Sequence, residues 1–320
     1  MRILKTINGE KLFKIGMGTW GIGGAYNIGN KPGGIPDVPG INPVNVIKKA
    51  INAGVNIFDT SLMYGLAEER LGKAIENCRD EVFVASKCGL LKDGSRSFTK
   101  ENINDSIVKS LKHLGVEYLD LYQVTFTGND CKYIEGTAEA LYELKEAGLT
   151  RYIGLSISSV DQGIASLNLP VIDTLQFTLN LLDVSVLDLL KLCAEKSVFT
   201  IIKSPFNKGV LSGLAGGKSF GSNDSRRDYL TQHNLSLRLN AAKNIMEYAK
   251  IKEADLKTCA AKFLFSLLDI GTILFGIRTE NHVDWLTNMY RDKRFNDDQL
   301  SLLVKGSKKY YSDIANTFSN

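Results

Sequence analysis

Short apolar runs alternate with amphipathic segments over most of the chain. Pro43 to Ala53 carries apolar residues at helical spacing and stops at Gly54, after which Val55 to Phe58 reads as a strand. The same pair of patterns recurs. Helices are predicted at 68–77, 100–114, 135–147, 161–167 and 184–195; strands are predicted at 82–86, 118–124, 152–155, 171–177 and 198–202. Thr99 is a good N-cap for the second of these helices, and Gly115 ends it. A Gly/Ser/Asn/Arg-rich stretch from Gly209 to Asn234 follows, then helices from Leu237 to Ile251 and from Leu256 to Leu268, and a strand from Thr272 to Phe275. Helices from Glu280 to Tyr290 and from Asp297 to Tyr311 close the pattern. With a first strand at Met17-Gly18-Thr19-Trp20, the count is eight strands, nearly all followed by a helix.

The strands are short and apolar on both faces, as parallel strands covered by helices must be. The simplest arrangement is a (β/α)8 barrel, an α/β fold whose active site lies at the C-terminal ends of the strands. Leu12 to Ile15 is expected to belong to an N-terminal β-hairpin capping the barrel bottom, with two extra helices outside the repeat. Residues 22–41, rich in Gly, Pro and Asn, read as a mobile loop at the top. No linker composition appears, so residues 1–320 are expected to form one domain.

Composition narrows the function. The chain has 320 residues, 44% hydrophobic and 23% charged, with a formal net charge of +4. The charge is diffuse, with no Lys/Arg block, which argues against nucleic acid and leaves room for a phosphorylated ligand. The five cysteines, Cys78, Cys88, Cys131, Cys193 and Cys259, show no short paired spacing and read as reduced thiols of a cytoplasmic protein. Cys88 reads as buried and inert. Met1-Arg2-Ile3-Leu4-Lys5 has no apolar signal core, and no apolar run is long enough to span a membrane. A monomer or small homo-oligomer is expected.

The candidate chemistry sits where predicted strands stop. One apolar run ends in Asp59-Thr60-Ser61-Leu62-Met63-Tyr64-Gly65, and the next ends in Lys87. A phenol beside an ammonium becomes a better acid, because the positive charge stabilises phenolate and lowers the Tyr pKa toward working pH. A carboxylate holds that ammonium charged. Asp59, Tyr64 and Lys87 together make a proton donor aimed at a carbonyl oxygen.

These residues carry a resemblance to the aldo-keto reductases. Asn56-Ile57-Phe58-Asp59-Thr60-Ser61-Leu62-Met63-Tyr64-Gly65 resembles the most specific motif of that family, followed by Glu68-Glu69-Arg70-Leu71-Gly72. Met17-Gly18-Thr19-Trp20-Gly21, Tyr118-Leu119-Asp120-Leu121-Tyr122-Gln123, Arg151-Tyr152-Ile153-Gly154-Leu155-Ser156, Leu175-Gln176-Phe177 and Ser204-Pro205-Phe206-Asn207-Lys208-Gly209 resemble its first, fourth, fifth and sixth strands and the loop after its seventh. The resemblance covers nearly the whole chain. It implies hydride transfer from NADPH to a carbonyl carbon, with Tyr64 as acid, Lys87 as the charge that tunes it and Asp59 as the Lys87 partner. The family's histidine at the end of strand four is replaced by Thr125, which can still orient a carbonyl by a hydrogen bond. His113, His233 and His282 do not lie at predicted strand ends.

The resemblance also implies a cofactor set. Thr19 and Trp20 lie at the first strand end, and Trp20 lines the pocket or packs. Ser156 and Gln176 bond the nicotinamide amide, although the usual Asn is Ile157. Lys203 stands where an aromatic ring usually stacks on the nicotinamide. There it repels oxidised cofactor more than reduced, points away, or pairs with a substrate phosphate or carboxylate. Ser204, Phe206 and Gly209 line the following loop. Arg278-Thr279, with His282 one turn on, matches the grip on a 2′-phosphate at a helix start, while Trp285-Leu286 replaces the usual adenine contacts. Two readings stay open for the segment from Asp224 to Tyr229: a solvated loop, or a fold over the pyrophosphate that brings Arg226 or Arg227 to the substrate.

The expected activity is an NADPH-dependent oxidoreductase acting on a small polar carbonyl compound such as a keto-sugar or sugar phosphate. The alternatives are a non-redox carbohydrate epimerase, isomerase or lyase using Tyr64 and Lys87, and an NADP(H)-binding protein with little turnover.

Overall fold

The computed structural model describes residues 4–7, 9–128, 130–213, 220–252, 255–290 and 294–318. Part of the Gly209 to Asn234 stretch, residues 214–219, therefore lies outside the described residues, as do residues 1–3 at the start. Strands β1 (Leu4–Ile7) and β2 (Glu10–Phe13) form an antiparallel hairpin. Then come β3 (Ile15–Gly18), the two-residue strands β4 (Asn27–Ile28) and β5 (Lys31–Pro32), α1 (Pro43–Asn52), β6 (Ile57–Asp59) and α2 (Ala67–Ile75). Next are β7 (Phe83–Cys88), α3 (Lys100–Leu114), β8 (Leu119–Thr125), α4 (Ile134–Glu146), β9 (Thr150–Ser156) and α5 (Val160–Leu167). The chain continues through β10 (Thr174–Thr178), α6 (Leu187–Glu195), β11 (Phe199–Lys203), the single turn α7 (Arg226–Tyr229) and α8 (Gln232–Tyr248). It ends with α9 (Leu256–Ser266), β12 (Thr272–Gly276), α10 (Glu280–Tyr290) and α11 (Asp297–Tyr310).

Strands β3, β6, β7, β8, β9, β10, β11 and β12 pair in that order, all parallel, and β12 returns to β3 to close a barrel. This is the expected (β/α)8 fold. Local signals place many element ends. Asn42 accepts from the Val44 amide at 3.0 Å to start α1, and Thr99 accepts from the Asn102 amide at 3.3 Å to start α3. Gly115 ends α3 at φ 65°. Helices α8 and α11 pack on each other beside the barrel as the extra pair.

Three expectations need correction. Ile15 pairs with Ile273 and belongs to the first barrel strand, so the capping hairpin ends at Phe13 and the strand ends before Thr19. Helix α8 begins at Gln232, not Leu237, because Thr231 caps it by accepting from the Asn234 amide at 3.2 Å. Residues 22–41 are pinned rather than loose. Arg70 donates to both oxygens of Asp37 at 2.8 and 2.7 Å, Arg278 Nε donates to the Gly21 carbonyl at 2.9 Å, and Trp20 Nε1 donates to the Gly33 carbonyl at 3.0 Å. Long side chains from distant elements supply these bonds, so the local Gly/Pro content alone misleads.

Register sets what the barrel holds. Paired residues of parallel strands face the same side, and side chains alternate with period two. Asp59 pairs with Ala85, Lys87 with Gln123, Thr125 with Ser156, Ser156 with Gln176 and Gln176 with Ile201. One face therefore carries Ile57, Ala85, Leu121, Ile201 and Leu274 low in the barrel, where they cluster with Ile7 and Leu12 of the hairpin. Two residues further along the same strands come Asp59, Lys87, Gln123 and Lys203. The interior changes from oil to charge within one step of the pleat. Among the described residues no helix is long and apolar enough to cross a membrane.

Candidate active site

Asp59 and Lys87 end neighbouring strands and are both 4% exposed. Lys87 Nζ pairs with Asp59 Oδ1 and donates to the Thr60 carbonyl at 2.7 Å. The other carboxylate oxygen accepts from Gln176 Nε2 at 2.9 Å and Gln123 Nε2 at 3.3 Å. Two buried charges thus have their remaining hydrogen-bond capacity met by neighbours, the condition under which a buried pair is tolerated. Tyr64 sits in the turn after β6, its amide donating to the Ser61 carbonyl at 2.9 Å. Lys87 Nζ lies 5.0 Å from the Tyr64 ring centroid, close enough for each charge to act on the other group. Gly65, at φ 57°, lets the turn pass close: a Cβ there would lie 2.6 Å from the Gly23 carbonyl oxygen and from the Tyr26 ring.

The electrostatics correct one expectation. Burial raises the Tyr64 pKa more than Lys87 lowers it, and the Asp59 charge raises it further. The phenol is therefore firmly protonated at neutral pH, with Lys87 limiting the cost of losing that proton. Burial works against the Lys87 charge, but Asp59 and Tyr64 outweigh it and its pKa is raised. Cys88 is buried and its thiol is pushed up to about 12 by burial, in keeping with an inert thiol.

Lys203 does not point away from the mouth. Its Nζ donates to Ser156 Oγ at 2.8 Å, and Ser156 Oγ in turn donates to Gln176 Oε1 at 3.4 Å. Burial, helped by the positive charges of Lys87 and Arg96, lowers its pKa to about 8 against the opposing pull of Asp59. Unfolded, it keeps its proton to about 10.5. The unfolded chain thus binds the extra proton between these values, and this group makes folding stability rise with pH across that window. We expect Lys203→Met to be more stable than wild type at pH 7, with the gap in thermal midpoint shrinking by pH 10. A gap independent of pH would mean that the ammonium is not held against its charge.

The candidate cofactor residues divide. Thr19 is fully buried and its hydroxyl donates to the Asp59 carbonyl at 3.1 Å, so it braces the strand end. Trp20 lies in a short turn after β3, tied to Gly33 as described. Ser204, Asn207, Lys208 and Gly209 all have positive φ (56°, 48°, 56° and 103°) in the loop after β11. Phe206 packs against Phe275 and Trp285, with ring centroids 5.3 and 6.2 Å away. Thr279 Oγ1 accepts from the His282 amide at 3.3 Å in the first turn of α10, and His282 Nδ1 accepts from the Arg278 amide at 3.3 Å. Burial, Lys257 and Arg278 lower the His282 pKa, so it stays neutral. The Arg278 guanidinium bonds the carbonyls of Gly21 and Pro36. The Asp224 segment folds inward rather than standing as a solvated loop. Asp224 is buried and takes Arg226 Nη2 at 2.6 Å, and the Ser225 amide donates to the Gly34 carbonyl at 3.0 Å. Leu286, at the altered adenine position, is buried in the core.

Three residues of this rim escaped the sequence reading: Gln123 against Asp59, Arg96 against Thr125, and Tyr26 beside Gly65. Gln123 was findable, being two residues before Thr125 on the same face. Arg96 and Tyr26 come from loops, where no periodicity points anywhere. Thr125 stands at the end of β8, and its carbonyl accepts from Arg96 Nη1 at 3.2 Å. No histidine takes its place: His113 lies in α3 against Glu68 at 3.2 Å, and His233 lies in α8.

A family model described as the Aldo/keto reductase family matches residues 14–307. The chain is 32% identical over 213 residues to Aldo-keto reductase YhdN of Bacillus subtilis, spanning 64% of this chain and 62% of that protein. It is 29% identical over 292 residues to the NADH-specific methylglyoxal reductase of Escherichia coli, spanning 85% and 88%. Among solved structures, the glycerol dehydrogenase of Gluconobacter oxydans aligns with a TM-score of 0.75 at 22% identity, covering 96% of this chain and 95% of its own. That last likeness is one of fold.

Proposed function

Because the chain belongs to the aldo/keto reductase family, whose members are NAD(P)-dependent oxidoreductases acting on small carbonyl compounds, we propose that it is an NADPH-dependent reductase of a small polar carbonyl compound, such as a keto-sugar, with Tyr64 as proton donor. The observation that carries this reading is the buried Asp59–Lys87 pair at the open end of the barrel, with Lys87 Nζ 5.0 Å from the Tyr64 ring centroid. The five unpaired thiols suit a reducing, cytoplasmic setting.

The residues present fit the cofactor. Arg278 and the α10 N-terminus at Thr279 suit a phosphate, and Ser156 with Gln176 offers amide partners. Bound NADPH supplies the hydride for the carbonyl carbon. Tyr64 Oη gives its proton to the carbonyl oxygen as that oxygen gains charge, so C=O becomes CH–OH. Lys87 stabilises the phenolate left behind, which solvent reprotonates. Asp59, held by Gln123 and Gln176, keeps Lys87 charged and aimed.

Cofactor fluorescence and thermal shift with NADPH and NADP+, followed by a carbonyl panel, test this. Binding with consumption of NADPH supports the reading. No binding of either nucleotide sinks it, and binding without consumption on any carbonyl favours epimerase, isomerase or lyase chemistry on Tyr64 and Lys87, or a binding role. The choice of NADPH is testable separately, and the E. coli relative named for NADH makes it a sharp choice. Arg278→Met is expected to raise KM for NADPH by about 10- to 100-fold, the loss of a charged hydrogen bond, with KM for NADH little changed. Equal effects on both nucleotides would assign Arg278 to holding the Gly21–Pro36 loop instead.

A further inference from the structure

Besides the Asp59–Lys87 pair, two more cations converge on the mouth of the barrel. Arg96 arrives from the loop between β7 and α3. Gly89, at φ 104°, turns that loop back over the strand ends, and a Cβ there would lie 3.0 Å from the Thr125 carbonyl oxygen. The loop is built rather than slack. Leu90 bridges Arg96 in antiparallel fashion, the Ser97 amide donates to the Gly89 carbonyl at 3.1 Å, and Phe98 stacks on Phe126 with centroids 4.7 Å apart. It thereby delivers Arg96 Nη1 to the Thr125 carbonyl at 3.2 Å. From the other side, Lys203 Nζ reaches Ser156 Oγ at 2.8 Å.

Thr125 and Ser156 are direct partners across β8 and β9. Neighbouring strands lie about 4.8 Å apart, so the two cations are anchored on adjacent residues of one rim. Among the described residues neither forms an ion pair with a carboxylate. Asp130 faces Arg96, but its Oδ2 accepts from the Thr127 amide at 3.0 Å and no ion pair to Arg96 forms. Asp59 and Asp130 act on these two cations only at a distance, with no ion pair to either, and a fold that fixes both cations at the open end of a catalytic barrel is complementary to an anion.

We propose that Arg96 and Lys203 form an oxyanion clamp, so that the carbonyl substrate of this protein carries a carboxylate or phosphate group within a few bonds of its carbonyl. The small Thr125 side chain leaves the strand end open to this clamp. The Arg96 fork suits two oxygens of one group, and Lys203 supplies a point charge beside the Ser156 hydroxyl. Burial is the main cause of the lowered Lys203 pKa, and the charges of Lys87 and Arg96 add to it against the pull of Asp59. As a statement about the substrate, the clamp rests on the oxidoreductase reading above; as a statement about binding, it does not.

Two measurements on the full chain test it and separate the two readings. Oxamate and inorganic phosphate are titrated calorimetrically into wild type, Arg96→Met, Arg96→Lys and Lys203→Met, each first checked for a cooperative thermal transition. At least one anion is expected to bind wild type, at least tenfold more weakly to Arg96→Met and Lys203→Met, with Arg96→Lys between. Which anion binds tells carboxylate from phosphate. No binding by wild type, or equal binding by all four proteins, overturns the clamp. NADPH-dependent turnover is then compared within matched pairs: pyruvate against methyl pyruvate, and glyceraldehyde 3-phosphate against glyceraldehyde. The charged member of one pair is expected to show a kcat/KM at least tenfold higher, a preference that Arg96→Met abolishes. Turnover that needs Tyr64 but ignores charge sinks the clamp and leaves the reductase reading standing. Anion binding that needs Arg96, without turnover of any carbonyl, does the reverse.

Discussion

Tyr64→Phe is expected to lower the turnover number for NADPH-dependent carbonyl reduction by about 10²- to 10⁴-fold, the usual contribution of a positioned general acid. The substitution removes one oxygen atom and leaves the ring that Lys87 Nζ sits beside, 5.0 Å from its centroid. Cofactor affinity and thermal midpoint should stay close to wild type, because the phenol hydroxyl is not part of the Asp59 hydrogen-bond set. The direction of the Tyr64 pKa matters to the result. Burial holds the group protonated at neutral pH, so the wild-type rate should not fall between pH 6 and pH 8 for lack of acid. Rapid-mix kinetics under saturating NADPH would separate the chemical step from release. If Tyr64→Phe turned over within a few-fold of wild type, another group would be the proton donor and the proposed roles of Lys87 and Asp59 would go with it.

Asp59→Leu is expected to have the largest effect on stability. It leaves Lys87, 4% exposed, without its carboxylate, and it strips the acceptor from Gln123 and Gln176. Removing one partner of a buried ion pair costs about 3–5 kcal/mol. At roughly 1.5 °C per kcal/mol for a chain of this length, the thermal midpoint should drop by about 5–8 °C. The second half of the cycle makes the claim specific. Asp59→Leu combined with Lys87→Met removes both charges, and much of the lost stability should return, because two apolar side chains need no counterion. Activity should not return. A double variant as unstable as the single one would mean that the loss comes from packing at the β6 end rather than from the stranded ammonium. The pH dependence carries the sign of the raised Lys87 pKa: its contribution is fully present below about 10.5 and is lost only as the pH climbs beyond, through the folded-state value.

The fold was largely legible because its signals are local. Apolar runs of strand length, the Thr99 cap and Gly115 at the other end of the same helix each act within a few residues. Asp59, Tyr64 and Lys87 were legible for a related reason, since polar residues that follow apolar runs mark strand ends. Misreadings fell where distant parts of the chain decide. The loop at 22–41 looks slack by composition, yet Arg70 and Arg278 fasten it from elements tens to hundreds of residues away. Ile15 looked like hairpin, yet pairing with Ile273 puts it in the barrel. The Tyr64 pKa direction also needed the structure, because proximity of Lys87 can be guessed from spacing but the depth of burial cannot.

By itself, then, the amino-acid sequence determined that eight parallel strands alternate with helices and that an acid, an ammonium and a carboxylate end two of those strands, because hydrophobic periodicity and capping are short-range physics. Only the tertiary structure decided how those ends share one rim. Barrel closure and register bring Gln123 and Gln176 onto Asp59, set Lys203 against Ser156, and let Gly89 fold Arg96 onto Thr125. Those contacts join residues 29 to 117 positions apart, and they exist because strand pairing fixes which side chains face inward at the same height.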